Sequence, residues 1–329
     1  MADNVSASVF NVYSSKEKIG LAIFSGAIFV VAVPANLYVL LLTCFCSSRR
    51  KPSDLLQMNM NVSQFLTALL QIPLQLLAHV MKPDLVADGG SLCQIVGILP
   101  YPLYVVTIET MVFMSVDRLC AVKSPLKYAT KMTTKRLKCI ILFTWAHATI
   151  FTIILAVFIQ FGYNRTRGQC AIVGQNQIVM LAVIGATHVA IPFVLLIGFY
   201  YKLMRFLKRH NRQMFQAAAA QTIEEGRRRN MLNQGQERRV ASMVFWIITT
   251  YLISWIPPSV TVILQYTLKY PPPIMFALAV LTLHVNEAAC PVLHLVFMKN
   301  LGDRLKKFCF CRDETSMTDI TNSSEGCQN

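Results

Sequence analysis

Ionisable side chains are scarce in this chain, and several stand inside apolar sequence. Asp117 and Arg118 are adjacent at the end of one apolar stretch, with Glu109 earlier in it; Glu287 is the lone acid of another, and His188 and His284 also have apolar neighbours. A charge in such surroundings is costly unless paired, so groups of this kind mark ion pairs, proton sites or ligand contacts. No paired carboxylates, nucleophile–base set or phosphate loop stands at catalytic spacing, which argues against an enzyme. No CxxC or His/Cys cluster has metal-ligand spacing, and Cys309-Phe310-Cys311 is too close and lacks partners.

The elements that must position these groups are membrane spans. Hydrophobic residues make up 54% of the 329 and charged residues 14%, against about 25% charged in a soluble domain. No Asp, Glu, Lys or Arg lies in 19–47, 55–81, 139–164, 168–201 or 240–268. The stretch 88–117 holds only Glu109 between its ends, and 270–298 holds only Glu287. A helix crosses a bilayer with about 20 apolar residues, so the expected fold is an all-α membrane protein, a bundle of seven transmembrane helices.

The net charge of +15 is accounted for by topology and not by nucleic acid. With the N-terminus outside, the connectors after spans one, three and five and the C-terminal tail hold 25 of the 31 Lys and Arg residues, as the positive-inside rule requires. The division is an extracellular N-terminus (1–18), a seven-transmembrane domain (19–298), an amphipathic membrane-surface helix (299–311) and a disordered cytoplasmic tail (312–329). Residues 1–18 have no apolar core of a cleavable signal. Asn4 and Asn164 head glycosylation sequons on the outer side; those at Asn61 and Asn322 fall in a span and in the cytosol.

The longest inner connector, 205–236, is helix-favouring, so span five should extend into the cytoplasm; Gly226 and 233–235 read as breaks. Its Arg227–Arg229 run suits anionic lipid or a protein partner equally. Past span seven, Leu305, Phe308 and Phe310 alternate with Arg304, Lys306 and Lys307, fitting a helix on the membrane surface. Cys309 and Cys311 there are palmitoylation candidates or free thiols. The Ser/Thr-rich tail offers phosphorylation sites. Only Cys93 and Cys170 face the oxidising side, so a disulfide between them is expected, pinning 163–177 over the third helix.

At this point the chain resembles the rhodopsin-like (class A) G-protein-coupled receptors over all seven spans. The family's first-span Asn is matched by Asn36, its third-span Asp-Arg-Tyr by Asp117-Arg118-Leu119, its fourth-span Trp by Trp145, and its fifth-span Pro and Tyr by Pro192 and Tyr200. Its Cys-Trp-x-Pro is matched by Ser254-Trp255-Ile256-Pro257, and its Asn-Pro-x-x-Tyr by Cys290-Pro291-Val292-Leu293-His294. The resemblance implies a plasma-membrane receptor that passes an extracellular signal to heterotrimeric G proteins, with arrestin and receptor kinases acting through the tail. It implies that Arg118 pairs with Asp117 and with Glu237, latching helices three and six at rest. Pro192, Pro257 and Pro291 each delete a backbone hydrogen bond and allow a kink. Trp255 beside Pro257 would then have two packings of similar energy, which a ligand biases by differential affinity. Outward swing of helix six would expose Arg118 and Tyr200.

Three departures bear on mechanism. The family's second-span Asp, part of a sodium site, is replaced by Gln64; the neighbouring positions are Thr107, Asn286, Glu287 and Cys290. Glu287 is expected to have taken over the buried acid role, facing Gln64, either neutral or paired with a cation. Leu119 and His294 stand where the family has Tyr.

Opsins carry a retinal-binding Lys where this chain has His284, so a Schiff base is excluded there and no cofactor is expected; amine receptors carry an Asp where it has Pro100. The outer halves of the spans offer Tyr101, Tyr104, His188, Ser259 and His284 beside Pro100, Ile184, Pro258, Val262 and Phe276. That uncharged lining suits a small, neutral or weakly polar ligand, hormonal or chemosensory. Two alternatives stand beside this reading: a weakly coupling, constitutive or decoy receptor, and, more remotely, a transporter or channel, which the scattered charges and lack of repeats disfavour.

Overall fold

In hydrocarbon a backbone N–H or C=O has no water to bond, so apolar runs of this length close their hydrogen bonds within themselves as helices. The computed structural model describes residues 12–45, 52–81, 85–86, 90–164, 167–173, 177–218, 225–267 and 272–297. Seven helices in it are long and apolar enough to cross a membrane: α1 (Ser15–Phe45), α2 (Pro52–Met81), α3 (Ser91–Lys123), α4 (Thr134–Phe158), α5 (Gln177–Ala218), α6 (Glu225–Thr267, interrupted) and α7 (Pro273–Phe297). An antiparallel hairpin, β1 (Gln160–Asn164) and β2 (Gln169–Val173), joins α4 to α5, with Phe161 opposite Ile172. The expected surface helix, Cys309, Cys311 and Asn4 lie outside the described residues, as does the side chain of Glu237.

Local sequence sets several helix ends. Ser14 and Glu17 form a capping box at the start of α1: Ser14 N donates to Glu17 Oε2 (2.7 Å) and Glu17 N to Ser14 Oγ (3.3 Å). Thr133 caps α4 by accepting from Arg136 N. The break expected at Gly226 and 233–235 is absent, and α6 runs through both. Glycine in a helix costs only about 1 kcal/mol, and the surrounding residues are helix formers.

The prolines act differently from one another. Pro73 lies between two π-helical turns of α2, Thr67–Gln71 and Leu76–Met81, and Pro192 follows one in α5, Gly185–Ala190. Pro291 sits in an uninterrupted α7. At Pro257-Pro258 the loss is double, because neither residue offers an N–H to the carbonyls of Ile253 and Ser254. The helix breaks at Trp255, and Thr282 Oγ1 of α7 donates to Ser254 O (3.1 Å), while Ser259 N and Oγ bond Trp255 O (3.2 and 2.8 Å).

Large apolar side chains point outward along every span, among them Ile23, Leu142, Phe158 and Val194, as a lipid-facing surface requires. Inside, the main apolar cluster joins Met60, Met111, Leu196, Met243, Ile247 and Tyr251. Polar ties fix the helices against one another. Asn36 Nδ2 of α1 donates to Glu287 O of α7 (2.8 Å). Asn59 of α2 donates to Thr110 Oγ1 of α3 and accepts from Trp145 Nε1 of α4, both at 2.8 Å.

A further tie was not legible in the sequence. Glu109 Oε1 of α3 lies 2.6 Å from His147 Nδ1 of α4. The His147 ring stacks on His188 of α5 (5.6 Å), whose other neighbour is Phe151 (3.7 Å). The three scattered spans thus meet at one acid–imidazole contact. Removing one partner strands the other in an apolar setting. Glu109→Leu or His147→Leu alone should each lower stability by about 1–2 kcal/mol, less than the roughly 3–5 kcal/mol of a fully buried pair. The double variant should recover most of that loss, as read by thermal unfolding of the purified protein.

Candidate functional site

Three polar regions lie along the bundle axis, and the sequence had singled out residues in each.

At the inner end, Arg118 and Asp117 are both buried. Arg118 donates through Nε (2.9 Å) and Nη2 (2.5 Å) to Asp117 Oδ2, and the remaining oxygen, Oδ1, accepts from Tyr128 OH (2.7 Å). Tyr128 belongs to a short helix after α3, Pro125–Lys131. A guanidinium next in sequence to its counter-ion, with a phenol closing the other oxygen, is a neutral and compact arrangement suited to an apolar end. The sequence reading missed Tyr128, which looked like one more residue of a basic connector. Tyr200 of α5 stacks on Phe245 of α6 (4.4 Å), joining the two helices flanking the long inner connector.

Midway, α7 presents Glu287, His284, Asn286 and Cys290, all buried. Glu287 Oε2 is 3.9 Å from His284 Nδ1, and Cys290 Sγ donates to Asn286 Oδ1 (3.4 Å). Thr107 bonds Ser63 Oγ and Leu103 O, each at 2.8 Å. Gln64 is fully buried, and its amide atoms, like Glu287 Oε2, Asn286 Nδ2 and both ring nitrogens of His294, meet no hydrogen-bonding protein atom among the described residues. Buried polar atoms left open by the protein are places for water, a proton or an ion. Thr107 has its hydroxyl committed; Glu287 and Gln64 keep oxygens open that suit a small hard cation, and His284 is the competing counter-charge. Among the described residues no three His, Cys, Asp or Glu side chains converge on a common point.

At the outer end a cavity of about 540 Å³ opens among α2–α7 under the β1–β2 hairpin. That volume falls within the roughly 300–1,000 Å³ typical of small-molecule sites. Tyr101, Tyr104, His188 and Ser259 line it, with Trp255 as its inner floor. Trp255 touches Tyr104 (5.9 Å), Phe193 (6.0 Å) and Tyr251 (6.0 Å) edgewise or tilted. His284 does not line this cavity: its Nε2 pairs with Gln75 Oε1 (2.9 Å), turning the ring to the α2 side, where it borders a smaller recess. Phe276 also lies outside the lining.

The hairpin roof is fastened at both strands. Cys93 of α3 forms the expected disulfide with Cys170 of β2, Cα atoms 5.5 Å apart. The next residue, Gln94, grips the start of β1: Nε2 donates to Ile159 O just before the strand (3.0 Å) and Oε1 accepts from Phe161 N (2.8 Å). Gly97 lets this approach happen, because a Cβ there would collide with the Phe161 ring. Asn164, head of the second sequon, ends β1; its carbonyl accepts from Arg167 N and Gly168 N (3.2 and 2.9 Å). Gly168 has φ +64°, and a Cβ on it would lie 2.8 Å from the Tyr13 hydroxyl. Burial raises the Tyr13 pKa far above its ordinary value, so the phenol stays protonated and donates to Arg167 O (3.3 Å). Neither Gln94 nor Arg167, which also lines the cavity, was marked by any spacing in the sequence.

Comparison with known proteins places the arrangement. The family described as "7 transmembrane receptor (rhodopsin family)" matches residues 35–294. Trace amine-associated receptor 5 of Mus musculus is 21% identical over 272 residues, covering 81% of this chain and 77% of its own length. G-protein coupled receptor 26 of Homo sapiens is 25% identical over 248 residues, covering 70% and 72%. The crystal structure of squid rhodopsin superposes with a TM-score of 0.75 at 19% identity, covering 90% of this chain and 86% of that one.

The midway region yields a direct test. Glu287→Gln keeps the shape and removes the ionisable group. If Glu287 holds a proton or a cation, the variant loses the sodium and pH sensitivity of G-protein activation; unchanged sensitivity to both would leave it as a helix-packing residue.

Proposed function

Starting from a chain that belongs to the rhodopsin family of seven-transmembrane receptors and signals through G proteins, we propose that the outer cavity takes a small organic ligand whose contact with Trp255 sets the angle of α6. The observation that carries this reading is the coincidence of cavity floor and helix break: Trp255 is both. Above it, Ile256–Thr267 faces the cavity; below it, Glu225–Ser254 runs to the cytoplasmic end. A ligand that favours one packing of Trp255 over another shifts the equilibrium between two positions of the lower segment, by no more than its differential affinity. The Thr282–Ser254 bond is the hinge pin, since it satisfies a carbonyl that no N–H of α6 can reach.

At rest the inner end is closed by Asp117, Arg118 and Tyr128. Movement of α6 exposes this end of α3, with Arg118, to the G protein. Charge asymmetry of the connectors supports an N-terminus outside the cell and residence in the plasma membrane. Arrestin and receptor kinases are the expected partners of the Ser/Thr tail. His284 at the opsin lysine position has no amine to form a Schiff base, which supports a diffusible ligand over covalent retinal.

The test is ligand-independent nucleotide exchange on G protein by the receptor in membranes. Asp117→Asn or Tyr128→Phe, each loosening the closed end, should raise basal exchange several-fold, and Arg118→Ala should bring it to background. A wild type that already matches Asp117→Asn would mark a constitutive receptor. Indifference of exchange to all three would mark one that does not couple.

A further inference from the structure

The Glu109–His147 contact ties helices together on its inner side, and its outer side faces the bilayer. His147 stands near the middle of α4. Phe143, Ile150 and Ile154 share its helical stripe and are exposed, so this face of the helix meets lipid. The His147 side chain is itself 39% exposed. Its ring lies between two nearly parallel rings, Phe143 (5.9 Å, 5°) and His188 (5.6 Å, 11°), which leaves its edges open. On one edge Nδ1 is 2.6 Å from Glu109 Oε1. On the other, Nε2 meets no hydrogen-bonding protein atom among the described residues.

The shared proton decides what Nε2 presents. A contact of 2.6 Å between a carboxyl oxygen and an imidazole nitrogen holds one proton. A pair with net charge is costly in hydrocarbon, so the neutral forms are the relevant ones. If Glu109 carries the proton, the neutral ring has its hydrogen on Nε2. If the ring carries it opposite an ionised Glu109, both ring nitrogens bear hydrogen. Either way Nε2 is an N–H. A proton on Glu109 Oε2 instead would strand an O–H, because Oε2 is buried and meets no hydrogen-bonding protein atom among the described residues. Phe143 and His188 lie in parallel planes beside the ring, out of line with a bond that runs in its plane.

A bare N–H in hydrocarbon is costly, and phospholipid oxygens do not reach this one. His147 lies about 16 Å along the helix from one end of α4 and about 20 Å from the other. The lipid esters flank a hydrocarbon core about 30 Å thick, and an imidazole has no long stem with which to reach them. We propose that the α4 face around His147 is a lipid-side binding site for a neutral lipophile with a carbonyl oxygen between two hydrocarbon arms. The oxygen accepts from His147 Nε2, and the arms lie along Phe143 and Ile150. A carbonyl suits a site that offers a donor, because it brings no donor of its own. The site is separate from the outer cavity, which His147 does not line; His188 borders both.

The probe is a benzophenone with an alkyl chain on each ring, whose carbonyl is both the acceptor and, under ultraviolet light, the labelling group. The full-length receptor is held one copy per lipid disc, which keeps a second copy off this face, and labelled peptides are read by mass spectrometry. Labelling should saturate and fall on α4 around 143–150. A dialkyl ketone with its carbonyl mid-chain should compete at least tenfold better than the alkane of the same length. His147→Asn keeps an amide near the Nδ1 position for Glu109 and removes Nε2, whereas His147→Gln places an amide N–H near the Nε2 position. The ketone-to-alkane ratio should fall toward one in His147→Asn and persist in His147→Gln. Because the ratio is measured within one variant, it is insensitive to how much of that variant folds. Discs of ester-linked and of ether-linked phospholipid should give the same ratio. No saturable labelling of α4, equal competition by ketone and alkane, or a ratio unchanged in His147→Asn would overturn the proposal. A ratio lost in both variants would tie the site to ring packing and not to the N–H, and one seen only in ether-linked lipid would make the lipid ester the occupant; each overturns it as well.

Discussion

A peptide group left bare in hydrocarbon costs several kcal/mol, and the whole molecule is arranged around that penalty. It dictates helices wherever the chain lacks charge, and it decides what happens where proline deletes a donor. At Pro73 and Pro192 the ladder shifts locally into π turns. At Pro257-Pro258 two consecutive donors are lost, α6 parts, and a hydroxyl from α7 completes the stranded carbonyl. The break at Trp255 is also where the floor of the outer cavity lies. Satisfaction of a backbone group and, in the proposed function, transmission of a signal thus fall on the same few residues.

Polar side chains inside the bundle obey the same rule with a different outcome. Toward the lipid-exposed side they are paired, as with Glu109 and His147 or Asn59 and Trp145. Along the α2–α7 seam several atoms meet no hydrogen-bonding protein atom among the described residues: the Gln64 amide, Glu287 Oε2, Asn286 Nδ2 and the His294 ring nitrogens. The first set stiffens the packing of α2, α3 and α4. The second leaves a column of open acceptors and donors between the outer cavity and the inner end, where protons, water or an ion can be accommodated and where small helix shifts cost little in broken bonds.

Much of this was legible in the residues, and the reasons are physical. Span number and direction follow from where charge is absent and where Lys and Arg accumulate. The Cys93–Cys170 bridge follows from topology, because no other cysteines face outward. Tyr101, Tyr104, His188 and Ser259 were legible as cavity candidates from their place in the outer halves of the spans, whereas Trp255 was read as a switch beside Pro257 and not as the floor beneath them. What depended on rotation between helices was not legible: His284 turns to Gln75, and His147 finds Glu109. What depended on loop conformation was hidden too. Arg167 lies in an outer loop, where an arginine reads as solvated, and only the Gly168 turn and the Tyr13 contact bring it over the cavity. Tyr128 needed the short helix after α3 to reach Asp117. The glycines at 226 and 235 read as stops, yet their neighbours' helix preference carried α6 through them.

The central claim is that α6 bends at Trp255, with its upper segment held and its lower segment free to swing. Spin labels placed in pairs on the purified receptor, one pair joining α3 to Ile256–Thr267 and one joining α3 to the inner part of Glu225–Ser254, measure this directly. On binding nucleotide-free G protein, the inner pair should separate by several ångströms while the outer pair stays nearly fixed. Equal displacement of both pairs, or none in either, would contradict a hinge at Trp255.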